Sequence, residues 1–128
     1  MKVIITGSRS FEDDQLKAIR WIRSSIRRLT KIGPITEVVS GKTLGIDLLG
    51  EKWAEQRNIP VAWFSADWDK HGKSAKPIRN QEMTNYADAL IAIWDGKSKD
   101  TTDMVNKAMK QGLVVVLVDT RLLEDMHT

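Results

Sequence analysis

The segment KVIIT at residues 2–6, which runs into Gly7, decides how the rest of the chain is interpreted. A short apolar run that stops at a glycine is typical of a buried strand leading into a loop. Four further runs share this character: TEVVS at 36–40, residues 61–64 after Pro60, ALIAIW at 89–94 and LVVVLV at 113–118. Strands that are apolar throughout indicate a parallel sheet covered on both faces.

Helix-length segments separate these strands. From Asp13 to Leu29 apolar residues recur every three or four positions, which predicts a helix whose core-facing stripe is Leu16, Ile19, Ile22, Ile26 and Leu29. Further helices are predicted over 46–58, 77–86 and 102–111, with Pro77 at a first helical position after a polar loop at 65–76. The alternation predicts a three-layer α/β sandwich with a mainly parallel five-stranded sheet. We expect one domain over 1–120 and a short C-terminal tail over 121–128.

The composition excludes several classes of function. The 128 residues are 41% hydrophobic and 29% charged, which is typical of one globular domain and not of a disordered chain. With no cysteine and only His71 and His127, thiolate or histidine-rich metal sites are excluded. The N-terminal segment resembles neither a signal peptide nor a membrane span, so a cytoplasmic location is the default expectation. The net charge of +3 favours anionic ligands.

Ligands of open parallel sheets bind at the carboxyl ends of the strands, so the loops there are informative. These loops are Gly7 to Arg9, Gly41 to Asp47, Asp67 to Lys73 and Asp95 to Thr102. Glycines and hydroxyl side chains near helix starts predict a phosphate-bearing small molecule, although one such loop alone is often only turn geometry. A Walker motif is excluded because Thr36 stands where it needs glycine, and GSRSFE at 7–12 lacks the G-x-G-x-x-G fingerprint of NAD sites.

Several single residues have two interpretations from the sequence. Asp47 either caps a helix or accepts hydrogen bonds from a ribose. Arg9 and Lys73 are candidates to neutralise phosphate, and His71 is either an acid or base or a solvated loop residue. Trp68 and Trp94 either stack on a base or close the core, and Asp95 follows the fourth strand. Two other tryptophans, Trp53 and Trp63, are expected in the core.

The first helix carries a basic cluster in its second half, while Glu12, Asp13 and Asp14 lie at its start. The cluster comprises Arg20, Arg23, Arg27, Arg28 and Lys31. This distribution complements the helix dipole and favours a solvated surface. A nucleic-acid partner is therefore disfavoured, but docking of protein or nucleic acid on this helix stays an alternative.

Four segments together resemble a known family. VIITGSRSF at 3–11, EVVSGKTLGID at 37–47, IPVAWFSADWDKHGKSAKPIRNQEM at 59–83 and DGKSKDTTDMV at 95–105 resemble the YspA-like, YpsA-related branch of the SLOG superfamily. The resemblance implies a Rossmann-like fold and a ligand that is a nucleotide or a nucleotide derivative such as an ADP-ribose-like molecule. It implies ligand contacts for Gly7, Ser8, Arg9, Gly41, Gly45, Asp47, Arg79, Asn80, Gly96, Ser98, Thr101 and Thr102. Asp100 and Lys42 depart from the family pattern by replacing glycines.

An enzymatic alternative also follows from the resemblance. Related enzymes cleave N-glycosidic bonds with a motif whose glutamate falls on Met104 here, and a thioether cannot transfer a proton. A hydrolase would have to use Asp47, His71 or Asp103 instead. The leading hypothesis is a binding module that acts as a sensor, carrier or sequestering protein, with a nucleotide-like ligand, no certain cofactor and no metal. The sequence leaves open whether the chain forms a homo-oligomer.

Overall fold

The computed structural model describes residues 1–11, 14–43 and 45–122. The strands are β1 (Lys2–Gly7), β2 (Glu37–Ser40), β3 (Val61–Trp63), β4 (Ala89–Trp94) and β5 (Val114–Asp119). The helices are α1 (Gln15–Thr30), α2 (Ile46–Gln56), α3 (Trp68–His71), α4 (Ala75–Tyr86) and α5 (Lys99–Gln111). Glu12, Asp13, Leu44 and residues 123–128, which include His127 and most of the predicted tail, lie outside the described residues.

The five strands form one parallel sheet in the order β3-β2-β1-β4-β5. The central strand β1 pairs Ile4 with Val39 of β2 and with Leu90 of β4. The chain first adds strands on one side of β1 and then on the other, so the strand order reverses between β1 and β4. Loops that leave these two strands therefore diverge at the carboxyl edge and make room for a ligand there.

Helices cover both faces of the sheet, which confirms the predicted three-layer, Rossmann-like sandwich. Alternate strand residues face α1 and α2 on one side; this core includes Ile5 and Ile91, both fully buried. The other face packs on α4 and α5, where Leu90 contacts the cluster that contains Met83 and Met104. Strands buried on both faces explain the continuous apolar runs in the sequence.

Gly7 allows helix α2 to lie against the end of β1. A Cβ at this position would stand 2.5 Å from the carbonyl oxygen of Ile93 and 2.6 Å from Cγ1 of Ile46. Both neighbours are buried, so neither can move aside without cost. The glycine is thus required by packing at the strand end.

Several sequence expectations about single elements are wrong. The expected loop at 65–76 contains the four-residue helix α3, and α4 begins at Ala75, so that Pro77 is its third residue. Helix α5 begins at Lys99, three residues earlier than predicted. Trp63 is 54% exposed because it ends the edge strand β3, whereas Trp53 is half-buried against the core.

The predicted stripe of α1 is correct except at its start. Leu16 is 78% exposed, and Ala18 is buried in its place. At 100 degrees a residue, Ala18 lies about 40 degrees from Ile22 around the helix, whereas Leu16 lies about 120 degrees from it. Across the described residues, no helix is long and apolar enough to span a bilayer.

Candidate functional site

Two adjoining clefts lie at the carboxyl edge of the sheet. The first cleft, of about 400 Å³, lies between the loops that follow β1 and β4. The second cleft, of about 340 Å³, lies between the β2 loop and the segment after β3. Arg9, Thr43 and Lys76 line both clefts, so the two adjoin. Their position beside the strand-order reversal is the one expected for a ligand site.

The lining differs between the clefts. The first is lined by Gly7, Arg9, Ser10, Thr43, Lys76, Asp95, Lys97, Ser98, Lys99 and Asp100. The second is lined by Arg9, Gly41, Lys42, Thr43, Ser65, Ala66, Trp68, Lys76 and Arg79. Cations and hydroxyl groups dominate both sets.

The loops after β1 and β4 are joined by hydrogen bonds. The Ser8 N–H donates to the carbonyl oxygen of Ile93 at 3.0 Å, and the Asp95 N–H donates to Ser8 Oγ at 3.2 Å. Ser10 Oγ donates to the Asp95 carboxylate at 2.9 Å. These bonds fix the walls of the first cleft relative to each other.

Asp95 also organises its own loop. Its carboxylate accepts the N–H groups of Lys97 and Ser98 at 2.8 and 2.9 Å. Partial burial opposes ionisation, but these bonds and those from the serine hydroxyls prevail and hold the pKa of Asp95 below its usual value. Ser98 in turn caps α5 by accepting the Thr101 N–H. The carboxylate in the cleft therefore stays charged and is already satisfied by internal donors.

Asp47 lies beneath the second cleft and is 1% exposed. Its carboxylate accepts from Thr6 Oγ1 at 2.8 Å and from the Gly41 N–H at 3.1 Å. Burial raises the pKa of Asp47 to about 6, although the Thr6 hydroxyl, the charge of Arg79 and backbone N–H groups oppose the rise. The side chain holds the β2 loop against β1 and does not line either cleft.

Arg79 ties three elements together from the buried face of α4. Its guanidinium donates to the carbonyl oxygen of Gly41 at 3.1 Å, to Asn80 Oδ1 at 2.9 Å and to the Asp100 carboxylate at 3.2 Å. Arg79 is 5% exposed and the Asp100 side chain is 27% exposed, so this ion pair is only partly accessible to water. The β2 loop, α4 and the start of α5 are thereby fixed to one another.

Asn80 completes this network. It is fully buried, and its amide donates to Asp100 Oδ1 at 2.9 Å and to Asp103 Oδ2 at 3.0 Å. Asp103 also pairs with Lys107 at 2.7 Å. Both acidic side chains of α5 thus have cationic partners within the protein. Asp100, where the resemblance implies a glycine, places no unpartnered negative charge at the cleft.

The remaining charge of the clefts is positive. Five cationic side chains line them besides Arg79: Arg9, Lys42, Lys76, Lys97 and Lys99. Among residues 1–11, 14–43 and 45–122, none of these five has a carboxylate within ion-pair distance. A cleft lined mainly by cations that have no carboxylate partner in the described part of the chain attracts anions.

The structure brings about half of the sequence-predicted site residues into the clefts. Those that line them are Gly7, Arg9, Gly41, Lys42, Trp68, Arg79, Asp95 and Ser98. Four others are buried beneath: Ser8, Asp47, Asn80 and Thr101. The rest lie outside the linings: Gly45 precedes α2, Gly96 packs on Arg121, Lys73 is exposed, and Thr102 lines a separate apolar cleft with Trp94.

The three acid or base candidates do not line the clefts. Asp47 is under the β2 loop, and Asp103 is paired with Lys107 on α5. His71 lines a third cavity, of about 250 Å³, which Asp67 and Glu82 also line. No group of three or more histidine or carboxylate side chains suited to a metal ion occurs among the described residues.

Eight residues that line the clefts are not among the sequence-predicted site residues: Ser10, Thr43, Ser65, Ala66, Asp100, Lys76, Lys97 and Lys99. The last two flank the helix-capping Ser98, a pattern that could have indicated two cations at the start of α5. Lys76 could have been found from the start of α4, since that start lies at the carboxyl edge of the sheet. The sequence instead predicts Lys73, which is exposed in the short 3-10 turn Gly72–Ser74.

The basic cluster of α1 lies away from the clefts. The helix leaves the carboxyl edge after β1 and returns toward the amino edge, where its last turn carries Arg27 and Arg28. All of the cluster is exposed. Ligand binding at the clefts and any docking on α1 would therefore use separate surfaces.

Comparisons with known proteins identify the family of the chain. Residues 1–71 match YAcAr, the YspA, cpYpsA-related SLOG family. The chain is also 32% identical over 123 residues to the Gene 61 protein of Mycobacterium phage D29, covering 90% of this chain and 94% of that protein. No solved structure matches the chain. The resemblance seen in the sequence is thus confirmed, and the chain belongs to the YspA, cpYpsA-related SLOG family.

Proposed function

We propose that the chain binds a nucleotide or nucleotide-derived, phosphate-bearing small molecule in the two clefts and serves as a sensor, carrier or sequestering module. The observation that carries this proposal is the charge of the clefts. Five cations there have no carboxylate partner among the described residues, whereas Asp95 and Asp100 are satisfied by internal donors. An anionic guest would supply the missing negative charge.

Arg9 and Lys76 are the residues we assign to the phosphate. Both line the first and second clefts, so a phosphate between them is within reach from either side. Thr43 adds a hydroxyl group at the same place, since it also lines both clefts. Asp47 and Asn80 are buried and hydrogen-bonded internally, and we therefore assign them to holding the loops and not to the ribose. SLOG membership supports the same class of ligand.

Calorimetric titration with ADP-ribose, AMP, GMP and UMP, with adenosine as the uncharged comparison, tests this proposal. We expect the phosphate compounds to bind and to raise the melting temperature, because a ligand that prefers the folded state stabilises it. The double variant Arg9→Gln/Lys76→Gln should weaken binding at least about tenfold, equivalent to about 1.4 kcal/mol.

Lys110→Gln is the matched control, because Lys110 is exposed in the last turn of α5, at the far edge of the sheet. It removes one positive charge and should leave the affinity unchanged. Equal binding of adenosine and AMP, or unchanged affinity in the double variant, would contradict the proposal.

A further inference from the structure

The exposed side of α1 between Lys17 and Lys31 consists of cations and hydroxyl groups. Six of the 20 basic residues of the chain lie in this segment, and none of the 17 acidic residues does. The exposed residues are Lys17, the five cations of the basic cluster, Ser24 and Thr30. Lys17 pairs with Asp14 at 3.6 Å, whereas no cation of the basic cluster has a carboxylate within ion-pair distance in the described parts of the chain.

The basic cluster forms one continuous face. At about 100 degrees and about 1.5 Å per residue, its five side chains leave α1 within an arc of about 140 degrees and span about 16 Å along the axis. Lys52, which is exposed on α2, adds a further cation beside this face. Together with Arg23 it lines a groove of about 110 Å³ between α1 and α2. The positive surface thus extends over both helices that cover this side of the sheet.

The helix dipole accounts for only part of the basic cluster. Its favourable effect on cations falls off within the last turn of a helix. The last turn of α1 carries Arg27 and Arg28, and Lys31 is the C-cap. Arg23 lies about two turns before the helix ends at Thr30, and Arg20 lies about three turns before it. The dipole, which disfavours a nucleic-acid partner when the sequence is considered alone, therefore does not explain these two arginines.

The composition of this surface distinguishes between polyanionic partners. Binding in a membrane interface requires apolar side chains that enter the lipid, and stable protein interfaces centre on aromatic and apolar side chains. Single-stranded nucleic acid stacks its bases on exposed aromatic rings. No apolar or aromatic residue is exposed on α1 from Lys17 to Lys31. The backbone of a duplex needs none, because arginine, lysine and hydroxyl side chains bind its phosphate groups directly.

We infer that α1 binds the phosphate backbone of double-stranded nucleic acid, independently of base sequence. Arginine suits this role because its planar guanidinium donates two parallel hydrogen bonds to a phosphate, and four of the five cations of the basic cluster are arginines. A face of about 16 Å spans about five base pairs at about 3.4 Å each. None of the cluster lines either cleft, so this activity goes beyond the proposed function and does not depend on it.

Fluorescence anisotropy with dye-labelled DNA duplexes of three unrelated sequences tests the inference. The three duplexes should bind with similar affinity. A plot of the logarithm of the association constant against the logarithm of the salt concentration should have a slope of about −4.5 between about 50 and about 200 mM NaCl, since each neutralised phosphate contributes about −0.9. An unlabelled RNA duplex offers the same backbone chemistry, and its competition with the DNA distinguishes these two sources. A DNA single strand and polyglutamate should compete less well than an unlabelled duplex.

Arg23→Gln/Arg27→Gln removes two charges from the middle of the basic face. It should weaken duplex binding at least about tenfold and make the salt slope shallower by about 2, because two phosphate contacts are lost. Arg23→Lys/Arg27→Lys keeps both charges and should retain the slope. Lys70→Gln/Lys110→Gln, on exposed positions of α3 and α5, is the matched control: it removes the same charge and should leave the affinity and the slope nearly unchanged. Melting temperatures confirm that the variants fold.

Four results would overturn the inference. No duplex binding at about 50 mM NaCl would leave α1 as a solvated surface. Equal weakening by Arg23→Gln/Arg27→Gln and by the matched control would show that net charge, and not α1, governs binding. Tighter binding of polyglutamate than of a duplex would indicate an acidic protein partner. Loss of duplex binding in Arg9→Gln/Lys76→Gln, with retention in the α1 variant, would place the duplex at the clefts.

The affinity for AMP distinguishes a failure of this inference from a failure of the proposed function. Arg23→Gln/Arg27→Gln should bind AMP as wild type does, because neither arginine lines a cleft. Duplex binding without nucleotide binding would refute the proposed function alone, and nucleotide binding without duplex binding would refute this inference alone.

Discussion

Replacing Asp47 with asparagine should remove a specific pH dependence of stability. Burial raises the pKa of Asp47 from 3.8 to about 6 in the folded chain. Between these two values the folded state holds a proton that the unfolded state releases, so the free energy of unfolding falls as the pH rises from about 4 to about 6. The rise in pKa corresponds to a loss of about 3 kcal/mol in the free energy of unfolding, since one pKa unit is worth about 1.4 kcal/mol.

Urea denaturation followed by tryptophan fluorescence at pH values between 4 and 7.5 measures this effect. The free energy of unfolding of wild type should fall by about 3 kcal/mol relative to that of Asp47→Asn over that range, because an amide does not titrate. The amide oxygen can still accept the Gly41 N–H, and the amide N–H can donate to the Thr6 hydroxyl. Asp69→Asn, on the exposed surface of α3, is the matched control, and its curve of unfolding free energy against pH should run parallel to that of wild type. Parallel curves for wild type and Asp47→Asn would refute the argument that burial governs this carboxyl.

Two further substitutions test the packing around the clefts. Arg79→Met should lower the free energy of unfolding by about 3 kcal/mol, the low end for a broken buried ion pair, because Asp100 is partly exposed. Adding Asp100→Asn should restore part of this loss, as measured by urea denaturation. Equal stability of Arg79→Met and wild type would disprove the role of the pair. Gly7→Ala should lower the free energy of unfolding by about 1–3 kcal/mol because the added methyl group overpacks the core. Gly33→Ala is the control: no atom lies within 4 Å of its added methyl group, so its thermal midpoint should stay nearly unchanged. Equal losses of stability in the two variants would contradict the packing argument.

The fold could be predicted because each buried strand is a continuous apolar run and each long helix has a regular period. Helix α3 was not predicted because a segment of four residues, Trp68 to His71, is too short to show a helical period. Trp63 was expected in the core because its sequence does not show that β3 is an edge strand. The order of strands depends on pairing between distant segments, and a single sequence does not show this pairing.

The position of the site could also be predicted, since the carboxyl ends of parallel strands share one edge. The roles of individual residues could not. Arg79 contacts Gly41, which is 38 residues away, and Asn80 contacts Asp100, which is 20 residues away. Whether a polar side chain faces a ligand or another part of the protein depends on such contacts, and the same residue types occur in both roles.

The hydrogen bonds between Ser8, Ser10 and Asp95 have a consequence for the thermodynamics of association. They hold both walls of the first cleft in place in the absence of a guest. A molecule that enters therefore encounters a preorganised surface, and the protein loses little entropy through loop ordering. Association should accordingly be fast, with a rate set mainly by electrostatic attraction and lowered by added salt.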